Sequence, residues 1–253
     1  MSILGFDMGV IVELGILAVS MFLLLVLTLW KRKSPARLRE ISALTRLYRM
    51  IGLSVEDGTR LHVSLGYGGL LDARGGSALA GLAILRGIAE KTSVSDRPAV
   101  ASAGDPSLGL LTQDTIQAGY QAAGADELYT PTTGRVTGLG PFGFAAGAMH
   151  ITQNENVSTN IMIGHFGPEV ALLAEASDRE NVVVIGASDD LAGQSVLFTS
   201  SQDPLIGEEL FSAGAYIGKA ASHTASLFVQ DILRWLIILG LLGGAFAKFM
   251  GAI

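Results

Sequence analysis

The chain has no cysteine. That absence excludes disulfides, thiol nucleophiles, cysteine zinc sites and iron–sulfur clusters together. Charge is also scarce. Only 16% of the residues are charged, where a soluble domain carries roughly 25%. Apolar residues reach 49% and the mean hydropathy is +0.47. A wholly soluble chain is therefore not expected, and neither is a disordered one, which needs low hydrophobicity and high net charge. The net charge is -6, which argues against a nucleic-acid partner. No Lys or Arg precedes Lys31.

What the chain does have is two long apolar runs. Ile11 to Trp30 carries one charge, Glu13. At about 1.5 Å per residue it spans about 30 Å, the hydrocarbon core of a bilayer. Lys31, Arg32 and Lys33 follow at once. By the positive-inside rule they act as the orientation signal, with the N-terminus outside and the following domain in the cytoplasm. A signal peptide would carry its charges ahead of the apolar run, so a retained anchor is expected. The second run, Trp235 to Ile253, is bounded by Arg234 and interrupted by Lys248, both able to snorkel. Trp30 and Trp235 are expected together at the cytoplasmic interface. Gly240, Gly243, Gly244, Ala247 and Gly251 form a small-residue face for close helix packing, against Ile11–Trp30 or another subunit. The expected organisation is an anchor over 1–33, a cytoplasmic domain over 34–225 and a second membrane helix over 226–253. The location is an inner (cell) membrane, with both termini outside.

The middle of the chain reads as α/β. Between Ser34 and Ala225, acidic residues outnumber basic ones by 20 to 12, so this part would be repelled by nucleic acid and anionic lipid. Arg37–Ile51 reads as a helix with basic teeth near the membrane. Expected strands are Leu61–Leu65, Ala99–Ala103, Glu127–Thr130, Asn160–Gly164 and Val182–Gly186. Expected helices are Ser77–Lys91, Leu108–Ala123, Phe142–Ile151 and Pro168–Ala176. Pro204–Ala225 reads as helix and runs on into the second anchor. This alternation predicts a Rossmann-like fold, a mostly parallel sheet with helices on both faces.

Several strings carry a family resemblance. They are Asp57-Gly58-Thr59 with His62-Val63-Ser64-Leu65-Gly66, Gly104-Asp105-Pro106, Gly164-His165-Phe166-Gly167-Pro168-Glu169, and Gly207-Glu208-Glu209-Leu210-Phe211 with Gly214-Ala215-Tyr216. The chain resembles an uncharacterised bacterial domain-of-unknown-function family, with two membrane helices around a cytoplasmic α/β domain. The resemblance implies that architecture and no chemistry.

In an open α/β sheet, ligands bind at the carboxyl ends of the strands. Glycine-rich polar turns fall there, and Gly66, Asp105, His165, Glu169, Ser188 and Asp189 are the candidate ligand-binding residues. Each also has a plainer role, since such turns need glycine and helix caps, and Ser188 or Asp189 could cap the next helix. Gly138-Leu139-Gly140-Pro141-Phe142-Gly143 matches G-x-G-x-x-G by letter. It follows no clear strand, Pro141 sits inside it, and Glu155 comes too soon for the acidic partner. His62, His150, His165 and His223 lack metal-binding spacing, so no metal, cofactor or catalytic residue is assigned. Glu208 and Glu209 suit the positive N-terminus of the last helix.

Three function classes remain. The first is a membrane-anchored structural or scaffold subunit of a homo-oligomer, with the bilayer and its own copies as partners. The second is a tethered small-molecule-binding or enzymatic domain using the strand-end turns. The third is an oligomeric channel subunit, disfavoured because charge is confined to the segment ends.

Overall fold

The computed structural model describes residues 8–33, 39–71, 75–217 and 221–250. Among these, the helices are α1 (Met8–Lys33), α2 (Ser42–Glu56), α3 (Gly75–Thr92), α4 (Pro106–Ala122), α5 (Pro141–Asn154), α6 (Val170–Arg179), α7 (Leu191–Ser200), α8 (Glu209–Ile217) and α9 (Ala221–Phe249). The strands are β1 (Arg60–Gly66), β2 (Val100–Ala103), β3 (Gly134–Val136), β4 (Val157–His165) and β5 (Val183–Ser188). The chain forms two units, one of Met1–Leu38 with Lys219–Ile253, the other of Arg39–Gly218.

In the second unit, all strand pairs are parallel, in the order β3-β2-β1-β4-β5. The chain winds outward from β1 through β2 to β3, then crosses back to β4 and β5. The order reverses between β1 and β4, which is the topological switch point of a doubly wound sheet. The fold is Rossmann-like, as the alternation of elements predicts.

Strand alternation explains the two layers. On β1, Leu61, Val63 and Leu65 point to one face and His62 and Ser64 to the other. The apolar face adds Ala101, Ala103, Ile161, Ile163, Ile185 and Ala187, and packs on α2, α3, α4 and α8 in the larger core. The other face meets α5, α6 and α7 through Phe144, Met162, Val170, Leu173 and Leu197. Beneath α5 and α6 that face is polar. His62 Nε2 lies 2.8 Å from Ser102 Oγ, and Asn160 Nδ2 donates to Thr152 and Ser177 at 3.2 Å each. Burial drives the His62 pKa down to about 4 against nearby Glu155, so the ring is neutral.

Small residues set the layer spacing. A Cβ at Gly81 of α3 would sit 2.6 Å from the Ile163 carbonyl oxygen. A Cβ at Gly119 of α4 would sit 2.8 Å from the Ala89 Cβ of α3. These helices lie closer to the sheet and to each other than side chains would allow.

The first unit contains two helices apolar enough, by length and composition, to cross a membrane, over Val12–Trp30 and Ser222–Phe249. They pack through Leu23 and Leu27 against Ala225, Phe228, Val229 and Leu233. Lys31, Arg32 and Lys33 end α1, and their side chains fall outside the described residues, as does Gly251.

Several expectations need correction. Glu127–Thr130 is not a strand. It is tight turning chain, and the edge strand is Gly134–Val136. Pro204–Glu208 is not helical, so no single helix runs from there into the anchor. Helix α7 has no counterpart among the expected elements.

Candidate functional site

The carboxyl ends of β1, β4 and β5 bring five of the six candidate residues into one cluster. Gly66 pairs with His165 across the switch point. Gly66 has φ of 77°, and a Cβ there would strike the His165 carbonyl oxygen. Gly164 answers from the other side, where a Cβ would strike the Leu65 carbonyl. Only glycine lets the two strand ends approach this closely.

The geometry past that junction is set by side chains. His165 Nδ1 lies 2.5 Å from Asp189 Oδ1. Tyr67 stands edge-on to the His165 ring, centroids 4.9 Å apart. The Gly167 N–H donates to Glu169 Oε1 at 2.8 Å. Glu169 is only 2% exposed. Ser188 Oγ accepts from the N–H groups of Phe166 and Asp190, both at 3.1 Å, and donates to the Phe166 carbonyl at 2.8 Å. That hydroxyl has no capacity left for a ligand.

Asp105 stands apart as a helix cap. It accepts the Leu108 N–H at 3.0 Å and a hydrogen bond from the Ser107 hydroxyl. The Ser107 hydrogen bond, with the backbone N–H groups, holds its carboxyl below the usual range. The cap after β5 is Asp190, which accepts from Ala192 and Gly193, and neither Ser188 nor Asp189 takes that role. Capping by Asp190 leaves Asp189 free to engage His165.

Three cavities lined by described residues lie beside α2, between α6 and α7, and beside α7. Among the described residues, no group of three His, Asp or Glu side chains could hold a metal ion. The dyad can fix one histidine tautomer, since an Nδ1–H held by a carboxylate leaves Nε2 as the acceptor nitrogen. Nε2 makes no hydrogen bond among the described residues. Tyr67, which sequence reasoning missed, was signalled only by its place in the Gly66–Gly69 turn.

The G-x-G-x-x-G match does follow a strand, the short β3. Its glycines serve the turn itself, since a Cβ at Gly138 would strike the Gly143 carbonyl. A Cβ at Gly240, Gly243 or Gly244 would meet nothing within 4 Å. These glycines extend the stripe that faces α1, yet α1 does not close on them. His150 and His223 are exposed, and Glu209 starts α8, accepting from the Ile206 N–H at 3.3 Å and pairing with Arg39 at 2.8 Å.

The matching family model spans residues 6–253. The chain belongs to the DUF6754 family, a domain of unknown function. No curated protein and no solved structure matches it. The DUF6754 chain has the switch-point geometry of a doubly wound parallel sheet.

Proposed function

We propose that this DUF6754 chain is a membrane-anchored subunit of a homo-oligomeric assembly with a structural or scaffold role. In this reading α1 and α9 span the inner membrane and the α/β unit lies in the cytoplasm. One observation carries it: large apolar side chains stand exposed at both sides of the sheet. On the β3 side these are Leu139 and Phe142, 68% and 65% exposed, next to Val136. On the β5 side they are Leu191 and Phe198, 78% and 60% exposed, with Ile206. The second set borders an open groove of about 320 Å³ that Pro204 and Leu205 also line. Exposed apolar clusters of this kind mark interaction surfaces. A protruding turn on one side and a groove on the other suit a head-to-tail contact, which closes into a ring or extends as a filament. The saturation of Ser188 and the capping role of Asp105 also favour a structural over a catalytic reading.

The test is the mass of the native particle in mild detergent, followed by imaging. A uniform multi-subunit particle is expected. A monodisperse monomer overturns the proposal.

The His165–Asp189 pair favours a second reading, a tethered small-molecule-binding domain. Native mass spectrometry of the purified particle checks it. A stoichiometric bound molecule that is lost in His165→Ala supports this reading, and an empty protein counts against it.

A further inference from the structure

Glu169 is 2% exposed, and only one of its carboxylate oxygens has a donor. Oε1 accepts the Gly167 N–H at 2.8 Å, while Oε2 makes no hydrogen bond among the described residues. The same holds for Nε2 of His165, whose side chain is 7% exposed. Both atoms reach solvent, since neither is among the sealed side-chain atoms without a partner. An ionised carboxylate accepts up to about four hydrogen bonds, and burying one without them is costly.

The two acceptors belong to one place. His165 ends β4 and Glu169 precedes α6, so a single short turn carries both. Tyr67 spans them, with its ring against His165 and its hydroxyl near Gly167. A Cβ on Gly167 would lie 2.8 Å from Glu169 Oε2 and 3.4 Å from the Tyr67 hydroxyl. Gly167 has no positive φ, so the backbone does not require glycine there. What glycine provides is a small space, bordered by the carboxylate and the tyrosine.

The charge around that space has one sign. Asp189 adds a second carboxylate through His165. No Lys or Arg pairs with Glu169 or Asp189 among the described residues. Doubly wound folds hold phosphate on backbone N–H groups at helix starts. At three strand-end turns these groups are already taken by the chain's own carboxylates. Asp105 holds the Leu108 N–H, Asp190 holds those of Ala192 and Gly193, and Glu169 holds that of Gly167.

We infer that the switch point binds a small organic cation with N–H donors, a primary amine, and not a phosphate-bearing ligand. The inference rests on the ligand-binding reading of the His165–Asp189 pair. An ammonium group has three donors and no acceptor, which suits a site whose two open atoms both accept. Its charge answers the buried Glu169 carboxylate, which has no cationic partner in the chain's described part. The Tyr67 and His165 rings beside it favour a cation as well.

The experiment uses the full chain in mild detergent. The probes are a panel of primary amines, from methylamine to ethanolamine and benzylamine, with inorganic phosphate and NAD as anionic controls. Calorimetric titration should show an amine binding once per chain and neither control binding. Glu169→Gln keeps an acceptor for the Gly167 N–H and removes the charge. Gly167→Ala puts a methyl group in the space. Each should weaken amine binding about tenfold or more, the loss of a hydrogen bond to a charged group. Both should keep a cooperative melting transition, and if Glu169→Gln does not, Gly167→Ala decides. Glu175→Gln, which breaks an exposed pair with Arg179 on α6, should leave binding unchanged. Amine binding that these site variants retain overturns the inference, and so does a panel in which no amine binds. A co-purifying phosphate compound that is lost in His165→Ala overturns it alone and leaves the ligand-binding reading standing. A protein that carries no molecule and binds none of the panel overturns both.

Discussion

The imidazole Nδ1 of His165 lies 2.5 Å from the carboxylate Oδ1 of Asp189, across the junction of β4 and β5. Both side chains are mostly buried, at 7% and 22% exposure. Asp189 reaches His165 because Asp190 takes over the capping of α7. The pair ties together the two strands on one side of the switch point. Removing one member strands the other. Asp189→Ala should cost about 1–3 kcal/mol, the usual penalty for a buried polar group left without its partner. Denaturant unfolding of the full chain measures this. A change below about 0.5 kcal/mol, the size of an ordinary surface substitution, would show that the pair does not hold the fold, and would favour the ligand-binding reading.

His62 gives the unit a pH dependence. The folded ring titrates near 4 because burial disfavours its charge, against an ordinary value of 6.5. Glu155, which favours the charged form, and Arg135, which opposes it, act on it as well. A depressed folded value means that the unfolded chain binds the proton first. Stability is therefore full above pH 6.5 and declines as pH falls from 6.5 to about 4. The total loss is about 3 kcal/mol, since each tenfold difference in proton affinity between folded and unfolded chain is worth about 1.4 kcal/mol. His62→Gln should flatten this stretch of the profile. A wild-type profile flat between pH 6.5 and 5 would contradict the assignment.

Glu155 acts in a lower window. Burial pushes its carboxyl up, but ion pairs and hydrogen bonds from Arg135 and Arg60 outweigh that and leave it below the ordinary value. Its stabilisation is present above pH 4.5 and is lost as pH falls further. The two steps separate in the variants. Glu155→Gln should remove the lower step and leave the decline between pH 6.5 and 5.

Two glycines of similar backbone conformation predict opposite tolerance. Gly66 and Gly124 have φ of 77° and 69°. A Cβ at Gly124 meets nothing within 4 Å, whereas one at Gly66 strikes the His165 carbonyl. Gly124→Ala should cost about 1 kcal/mol for strain alone. Gly66→Ala must also part β1 from β4, so it should fail to give a cooperatively unfolding protein. Near-UV circular dichroism with thermal melts distinguishes them. Equal melting temperatures would refute the close approach at the switch point.

The same contacts explain what the sequence could and could not show. The alternation Leu61-His62-Val63-Ser64-Leu65 announces a strand with one apolar face, and Val183–Ser188 is as plain. Strand β3 was missed because three residues, Gly134-Arg135-Val136, make no pattern and exist only by pairing with β2. Helix α7 was missed because Leu191-Ala192-Gly193-Gln194-Ser195 has no apolar period, and its start depends on the Asp190 cap. The strand-end cluster was legible as a set of turns, since a parallel sheet sends every turn to one edge. Its internal division was not legible. That Ser188 is spent on Phe166, and that Asp189 serves His165, depend on how far each turn reaches.

Membrane sidedness is directly measurable because the chain has no native thiol. Ala122 is exposed at the end of α4, so Ala122→Cys introduces one reactive site on the α/β unit. With Lys31, Arg32 and Lys33 facing the cytoplasm, a membrane-impermeant maleimide should label it only after the cells are opened. Labelling in intact cells would reverse the topology.

Assembly through the α/β unit should depend on its protruding turn. Phe142 is 65% exposed beside Leu139, so its replacement disturbs little of its own fold. Phe142→Asp puts a charge where the proposed contact buries an aromatic ring. If the turn seats in the groove of the next copy, this variant should shrink the particle and leave the melting behaviour of the unit unchanged. Leu191→Asp, at the rim of the groove, should do the same from the other side. A head-to-tail contact uses one patch from each copy, so mixing the two variants can restore only a single intact interface per pair. Mixtures should therefore stop at dimers, whereas an isologous contact would give no recovery at all. Mass photometry of the mixture separates these outcomes, and full-size particles from either variant alone would remove the sheet sides from the assembly.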